Sequence, residues 1–140
     1  MAVYTGVVFP LVLVVCAALA LAGAATLAFP RLHRAVQWAV PVTIGAVALQ
    51  AVTVIVLLFS GADVDLILTL GYLIASVALL ALLGIGRLGT PEAAAADPDP
   101  NRPVLSPVQI ARVDAASALI VAVAIAVVSW RILVILESGA

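Results

Sequence analysis

The chain has 140 residues, of which 66% are hydrophobic and 9% are charged, and its formal net charge is -1. A soluble domain carries roughly a quarter charged residues, so we expect lipid to cover the surface of this chain. Its six basic side chains are scattered arginines, which indicates no nucleic-acid surface. The single Cys16 excludes an intramolecular disulfide, a zinc knuckle and a thiol redox pair.

Four apolar stretches predict an all-α membrane protein with four transmembrane helices in an up-down bundle. The predicted spans are about residues 5–29, 40–60, 66–86 and 114–136, each close to the roughly 20 residues that a bilayer requires. They leave room for one domain, residues 1–140. Nothing basic precedes Arg31, so the first stretch is expected to be a retained helix and not a signal peptide.

The linkers between these stretches differ in composition. A basic turn at residues 30–34 joins the first two helices, and a short acidic link at residues 61–65 makes the second and third an antiparallel hairpin. Residues 88–105 contain alternating prolines and a run of four alanines. This composition predicts a flexible, water-exposed loop that forms neither a packed helix nor a sheet.

The fourth helix has a start signal in the sequence. Ser106 and Gln109 match an S-x-x-Q capping box, and Pro107 suits the first helical position. We therefore predict that this helix begins at Pro107 and continues without a break past Asp114.

The arginines predict the orientation in the membrane. Five of them belong to the loops and helix entry on one side: Arg31, Arg34, Arg87, Arg102 and Arg112. Arg131 is the one arginine on the other side. The positive-inside rule therefore predicts cytoplasmic loops and both termini outside, in a multi-pass protein of the bacterial cytoplasmic membrane.

Two polar residues near the predicted cytoplasmic face have alternative interpretations. His33, the only histidine, lies in the basic turn and is interpreted as an interfacial cationic residue, or else as a ligand or proton carrier. Asp114 lies in an early turn of the fourth helix, where the helix dipole favours an acid; the alternative is a gate or a partner contact. No pattern indicates a catalytic residue, a cofactor or a metal site.

A polar seam is predicted on the second and third helices. Its members are Thr43, Gln50, Thr53, Thr69, Tyr72 and Ser76. Gln50 is expected to face protein near Ser76 or Tyr72, because an amide in hydrocarbon is costly. The simplest interpretation is interhelical hydrogen bonding, worth roughly 0.6 kcal/mol per contact. The alternatives are a ligand or quinone-headgroup pocket and a pore lined across subunits.

An ion pair is predicted near the outer end of the bundle. Arg131 lies about one turn short of the predicted outer boundary, and Asp65, with Asp63 nearby, opens the third helix at the matching depth. A carboxylate at that depth lowers the cost of placing a guanidinium there. The alternative is that Arg131 extends to the headgroups beside Trp130.

Small residues form stripes that are typical of helix packing. They are Ala18-Ala22 and Ala20-Ala24 in the first helix, Gly71-Ala75 in the third and Ala118-Ala122-Ala126 in the fourth.

Together these features favour a non-enzymatic accessory or scaffold subunit of a larger membrane assembly, whose partners are the lipid bilayer and another protein or a second copy of the chain. The main alternative is an oligomeric transporter or channel for a small solute that uses the Gln50/Ser76 seam. An enzyme acting on lipid or quinone ranks third.

Overall fold

The computed structural model describes residues 1–85, 89–96 and 104–138. Within these ranges the chain is helical and contains no strand, which confirms the all-α prediction. The helices are α1 (Tyr4–Ala28), α2 (His33–Phe59), α3 (Leu66–Leu80), α4 (Pro91–Ala96) and α5 (Pro107–Ser138). Three of these, α1, α2 and α5, are long and apolar enough to cross a membrane.

The third apolar segment forms a shorter helix than the sequence predicts. α3 ends at Leu80 after 15 residues, whereas the predicted span extends to residue 86. Tighter turns follow, in which the N–H of Leu83 donates to the Leu80 carbonyl three residues earlier. Gly84 then has a φ of +72°, a left-handed conformation that glycine adopts without strain and that commonly ends helices.

α1 begins with one wide, π-helical turn at Tyr4–Val8. In this turn the N–H of Phe9 donates to the Tyr4 carbonyl, five residues earlier. Pro10 follows and has no N–H to donate, so the regular ladder of hydrogen bonds is interrupted there. A single wide turn accommodates such an interruption without ending the helix.

A short turn reverses the chain between α1 and α2. Phe29 is extended, with φ -131° and ψ 91°, because the following Pro30 disfavours a helical conformation before it. Pro30–Leu32 then forms one 3-10 turn, and His33 is the first residue of α2.

The start of α5 is closed by a reciprocal pair of hydrogen bonds. The Ser106 N–H donates to Gln109 Oε1 at 2.9 Å, and the Gln109 N–H donates to Ser106 Oγ at 3.3 Å. The predicted capping box is therefore confirmed. The helix begins at Pro107 and continues unbroken to Ser138, as the sequence predicts.

The linker before α5 contains a helix that the sequence analysis does not predict. α4 occupies six residues of the segment expected to form no helix, so that prediction is wrong for Pro91–Ala96. Proline suits a helix start and alanine has the highest helix propensity, which explains this short helix. The Leu105 N–H donates to the Gly89 carbonyl at 2.8 Å and brings two ends of the linker together. Residues 97–103 of the predicted loop lie outside the described residues.

The long helices pack unequally. α1 packs against both α5 and α2, while α3 packs mainly against α5, and α2 and α3 touch each other less. One face of α1 is buried along the whole helix, through Tyr4, Val8, Val12, Cys16 and Leu19. This spacing of three or four residues is that of a single helix face. The helices therefore follow the order α2, α1, α5, α3 around an apolar core.

The closest backbone approach lies between α1 and α5. A Cβ atom on Gly23 would lie 2.7 Å from the carbonyl oxygen of Ala115 and 3.2 Å from the amide nitrogen of Leu119. Because backbone atoms cannot move aside as a flexible side chain can, only glycine fits this crossing without displacement. Small residues permit such close helix packing in membranes.

We expect Gly23→Ala to lower the free energy of unfolding by about 1–3 kcal/mol, because the added methyl group overpacks the crossing. Gly45→Ala is the matched control, since a Cβ on this helical glycine would meet nothing within 4 Å. Denaturant or thermal unfolding of the purified protein in detergent measures both variants. Equal stabilities of the two variants would contradict the close crossing.

Candidate functional site

His33 and Asp114 form a side-chain contact between α2 and α5. Nε2 of His33 lies 2.7 Å from Oδ2 of Asp114, and the side chains are 20% and 10% exposed. A protonated ring nitrogen donates to the carboxylate in this geometry, and a hydrogen bond to a charged group is worth about 1.5–3 kcal/mol. The contact joins the first residue of α2 to the second turn of α5.

Two local features bring these residues together. The turn at residues 29–32 places His33 at the start of α2, and Gly23 holds α1 against Ala115, the neighbour of Asp114. Sequence reasoning misses the pair, because the two residues are 81 positions apart. Their predicted location at the same face of the membrane is the one signal that could have found it.

A cavity of about 360 Å³ opens beside this pair, between α2, the end of α3 and α5. Its lining residues are Val36, Gln37, Val40, Ile44, Leu80, Ala81, Leu83, Gly84 and Asp114. The Ser117 hydroxyl donates to the Leu82 carbonyl at 2.9 Å, which fastens the end of α3 to α5 and fixes one wall. The carboxylate of Asp114 is thus part of a defined concave surface.

The cavity combines apolar walls with hydrogen-bond acceptors. In a regular helix the N–H of residue 41 donates to the carbonyl of residue 37, but Pro41 has no N–H to give to Gln37. Gln37 and Asp114 are the polar residues of an otherwise apolar lining. Apolar walls with a few convergent polar groups are typical of ligand sites. In this lining the Asp114 carboxylate is already in contact with His33.

The residues of the predicted polar seam lie on α2 and α3, but four of their hydroxyl groups bond within their own helices. Each donates to the carbonyl four residues earlier: Thr43 to Ala39, Thr53 to Leu49, Thr69 to Asp65 and Ser76 to Tyr72, at 2.7–2.9 Å. The side chains of Thr43, Thr69 and Ser76 are buried, while those of Thr53 and Tyr72 are half-buried. Bonds of this kind satisfy a hydroxyl donor without a second helix.

Gln50 is fully buried, which confirms the prediction that it faces protein. Neither Nε2 nor Oε1 has a hydrogen-bond partner among the described residues, so the predicted contact with Ser76 or Tyr72 is not made. The reason is the packing of α2, which lies more closely against α1 than against α3. The hydroxyls of Tyr4 and Ser129 are also buried without a partner in the same ranges, and the sequence analysis does not identify them.

The structure does not join Arg131 to Asp65. Oδ1 of Asp65 instead accepts from the Leu68 N–H at 3.0 Å and caps the start of α3. This local bond satisfies the carboxylate where the helix dipole also favours it. Arg131 is exposed on α5, and in the part of the chain that the structure describes it is not ion-paired.

The described residues contain no group of three or more His, Cys, Asp or Glu side chains placed to hold a metal ion. Cys16 is buried and free. Comparison of the chain with protein-family models, with curated proteins and with solved structures finds no match.

Proposed function

We propose that the chain is a multi-pass protein of the bacterial cytoplasmic membrane that crosses the bilayer four times, with both termini outside. In the membrane it serves as a non-enzymatic accessory or scaffold subunit of a larger assembly. The three long apolar helices support the membrane location, and an open surface on α3 supports the accessory role.

A fourth crossing is supported by the length of the third apolar segment. Residues 66–85 carry no charged side chain, and about 20 residues suffice to cross the hydrocarbon. The short link at residues 61–65 returns the chain directly from α2 into α3. The excess of arginines on one side supports the orientation.

The observation that carries the accessory role is the surface around Gly71. A Cβ on Gly71 would meet nothing within 4 Å. The glycine lies in a depression of about 270 Å³ lined by Ile67, Leu68, Gly71, Tyr72 and Ala75. A small residue in an apolar depression lets the backbone of another helix approach closely. By contrast, Ala118 and Ala122 of α5 are buried inside the bundle, where they serve internal packing.

A transporter or channel is the second candidate function, and Gln50 favours it. A buried polar group that lacks a partner costs about 1–3 kcal/mol, and binding of a polar solute would explain why the chain keeps such a group in its core. Copurification from native membranes separates the two candidates. An accessory subunit brings stoichiometric partner proteins, whereas a transporter is recovered as a homo-oligomer.

We expect Gly71→Leu to release the protein from its partner, because the leucine side chain fills the depression on α3. Gly45→Leu on α2 is the matched control, since a Cβ at either glycine meets nothing within 4 Å. Blue-native electrophoresis and quantitative mass spectrometry of the tagged, natively expressed protein give the measurement. Partner recovery should fall at least about tenfold for Gly71→Leu, corresponding to a loss of about 1.4 kcal/mol. Unchanged recovery would contradict the accessory role of this surface.

The proposed topology predicts opposite labelling of two exposed positions. In a Cys16→Ala background, Ala62→Cys should react with a membrane-impermeant maleimide in spheroplasts, because it lies outside. Glu92→Cys should react only in inverted vesicles, because it lies in the cytoplasm. A reversed pattern would overturn the orientation, and labelling of both positions from one side would show that the third segment does not cross.

A further inference from the structure

A cavity of about 310 Å³ lies in the cleft between α1 and α2, and we term it the α1–α2 cavity. Its lining residues are Val14, Val15, Ala18, Trp38, Ala39 and Val42. Its walls are apolar except for the indole N–H of Trp38. Because most of these side chains are exposed on the bundle surface, the cavity opens towards lipid when the helices lie in a membrane. It shares no lining residue with the cavity beside Asp114.

The α1–α2 cavity has the depth of one leaflet of a bilayer. Trp38 lies about 8 Å along α2 from the helix start at His33, at 1.5 Å per residue. Val14 lies about 21 Å along α1 from the helix end at Ala28. The cavity therefore extends over about 13 Å, which is close to half of the roughly 30 Å hydrocarbon core.

Two arginines lie at the end of the α1–α2 cavity that is nearest to the turn. Arg34 precedes Trp38 by four residues, so the two side chains are neighbours on one face of α2. Arg31 precedes Arg34 by three residues in the 3-10 turn, where such side chains share one side. Side chains of a helix lean towards its N-terminus, which directs Arg34 away from the apolar walls and towards the headgroup region. The Arg31 guanidinium lies 6.0 Å from the centroid of the Phe29 ring.

The positive charge at this end of the cavity is not offset by the two helices that form it. Residues 1–62, which include α1, the turn and α2, contain no Asp or Glu. The Asp114 carboxylate of α5 lies nearby but is in contact with His33. A zwitterionic headgroup brings a cation together with its phosphate, and α1 and α2 have no carboxylate to receive that cation. A headgroup with a net negative charge is therefore the better complement.

We propose that the α1–α2 cavity and its two arginines bind a phospholipid whose headgroup carries a net negative charge. One acyl chain lies in the cavity, and the phosphate accepts hydrogen bonds from the guanidinium groups of Arg31 and Arg34. Trp38 lies between chain and headgroup, the depth at which an apolar ring with one polar N–H is favoured.

The size of the cavity favours a lipid chain over a partner helix. One turn of a helix 10 Å wide and 5.4 Å long occupies about 420 Å³, which exceeds the 310 Å³ of the cavity. The inference requires the membrane location, but it requires neither the accessory role nor the orientation. The surface that carries the accessory role surrounds Gly71 on α3, and phospholipid headgroups border both faces of a bilayer.

The test is native mass spectrometry of the purified full-length protein, titrated with phosphatidylglycerol and phosphatidylcholine of identical acyl chains. Both lipids have the phosphate, and they differ in net charge. We expect phosphatidylglycerol to bind at least about tenfold more tightly. Replacement of Arg31 and Arg34 together by Gln should remove most of this preference. The matched control replaces the exposed Arg112 and Arg131 of α5 by Gln, which removes the same charge and should keep the preference.

Equal affinity for both lipids in the unmodified protein would overturn the proposal. So would a preference that survives the Arg31 and Arg34 replacements or is lost equally in the α5 control. Inorganic phosphate at the lipid concentration should not displace phosphatidylglycerol. Displacement would show that the arginines bind a free anion and that the proposal is wrong.

A second variant tests the cavity without altering the arginines. Ala18→Phe places a ring in the α1–α2 cavity and should weaken binding of both lipids several-fold. Ala24→Phe is the matched control, because Ala24 is an exposed alanine of the same helix that does not line the cavity. If Ala18→Phe leaves lipid affinity intact but converts a dimer to a monomer in light scattering, a second copy of the chain occupies the cavity and the proposal is wrong.

Discussion

The close crossing of α1 and α5 at Gly23 is the contact on which the rest of the structure depends. The missing side chain lets the backbone of α1 lie against Ala115 and Leu119, and this fixes the relative height of the two helices. Asp114 precedes Ala115, and the chain needs only the short turn at residues 29–32 to bring His33 back to the same end. The histidine–aspartate contact is therefore a consequence of backbone packing.

The cavity beside Asp114 follows from the same arrangement. α2 is held beside α1 by the short turn and by His33, while α3 is held against α5 by the bond from Ser117 to Leu82. The helices of the predicted hairpin are thus attached to different partners, and they leave a space between them. The threonine and serine hydroxyls of α2 and α3 bond to carbonyls of their own helices and so need no acceptor on the neighbouring helix.

The sequence predicts well those features that depend on neighbouring residues. The apolar stretches and the Ser106/Gln109 capping box require only contacts within a few positions, and the structure contains them. The early end of α3 was less predictable, because Leu, Ala and Gly at residues 80–86 are compatible with both a helix and a turn. α4 shows the converse, since a run of alanines flanked by prolines still forms one short helix.

The candidate site could not be predicted from spacing, because it depends on how each helix is rotated about its axis. In a soluble bundle the apolar face reveals this rotation, but here the exposed and the core-facing side chains are both apolar, so the periodicity gives little information. The position of Gln50 in the core was correctly predicted from its polarity alone. Its predicted contact with Ser76 or Tyr72 was not, since Gln50 has no hydrogen-bond partner among the described residues.

The most direct test of this account is a solid-state NMR measurement of the His33–Asp114 contact in a bilayer. His33 is the only histidine, so a protein with ¹⁵N-histidine and ¹³C-aspartate has one imidazole whose dipolar coupling to a side-chain carboxyl can be observed. The account predicts strong dephasing, consistent with the 2.7 Å separation of Nε2 and Oδ2, and its loss in Asp114→Asn. Absence of dephasing in the unmodified protein, or its persistence in Asp114→Asn, would contradict the helix arrangement described above.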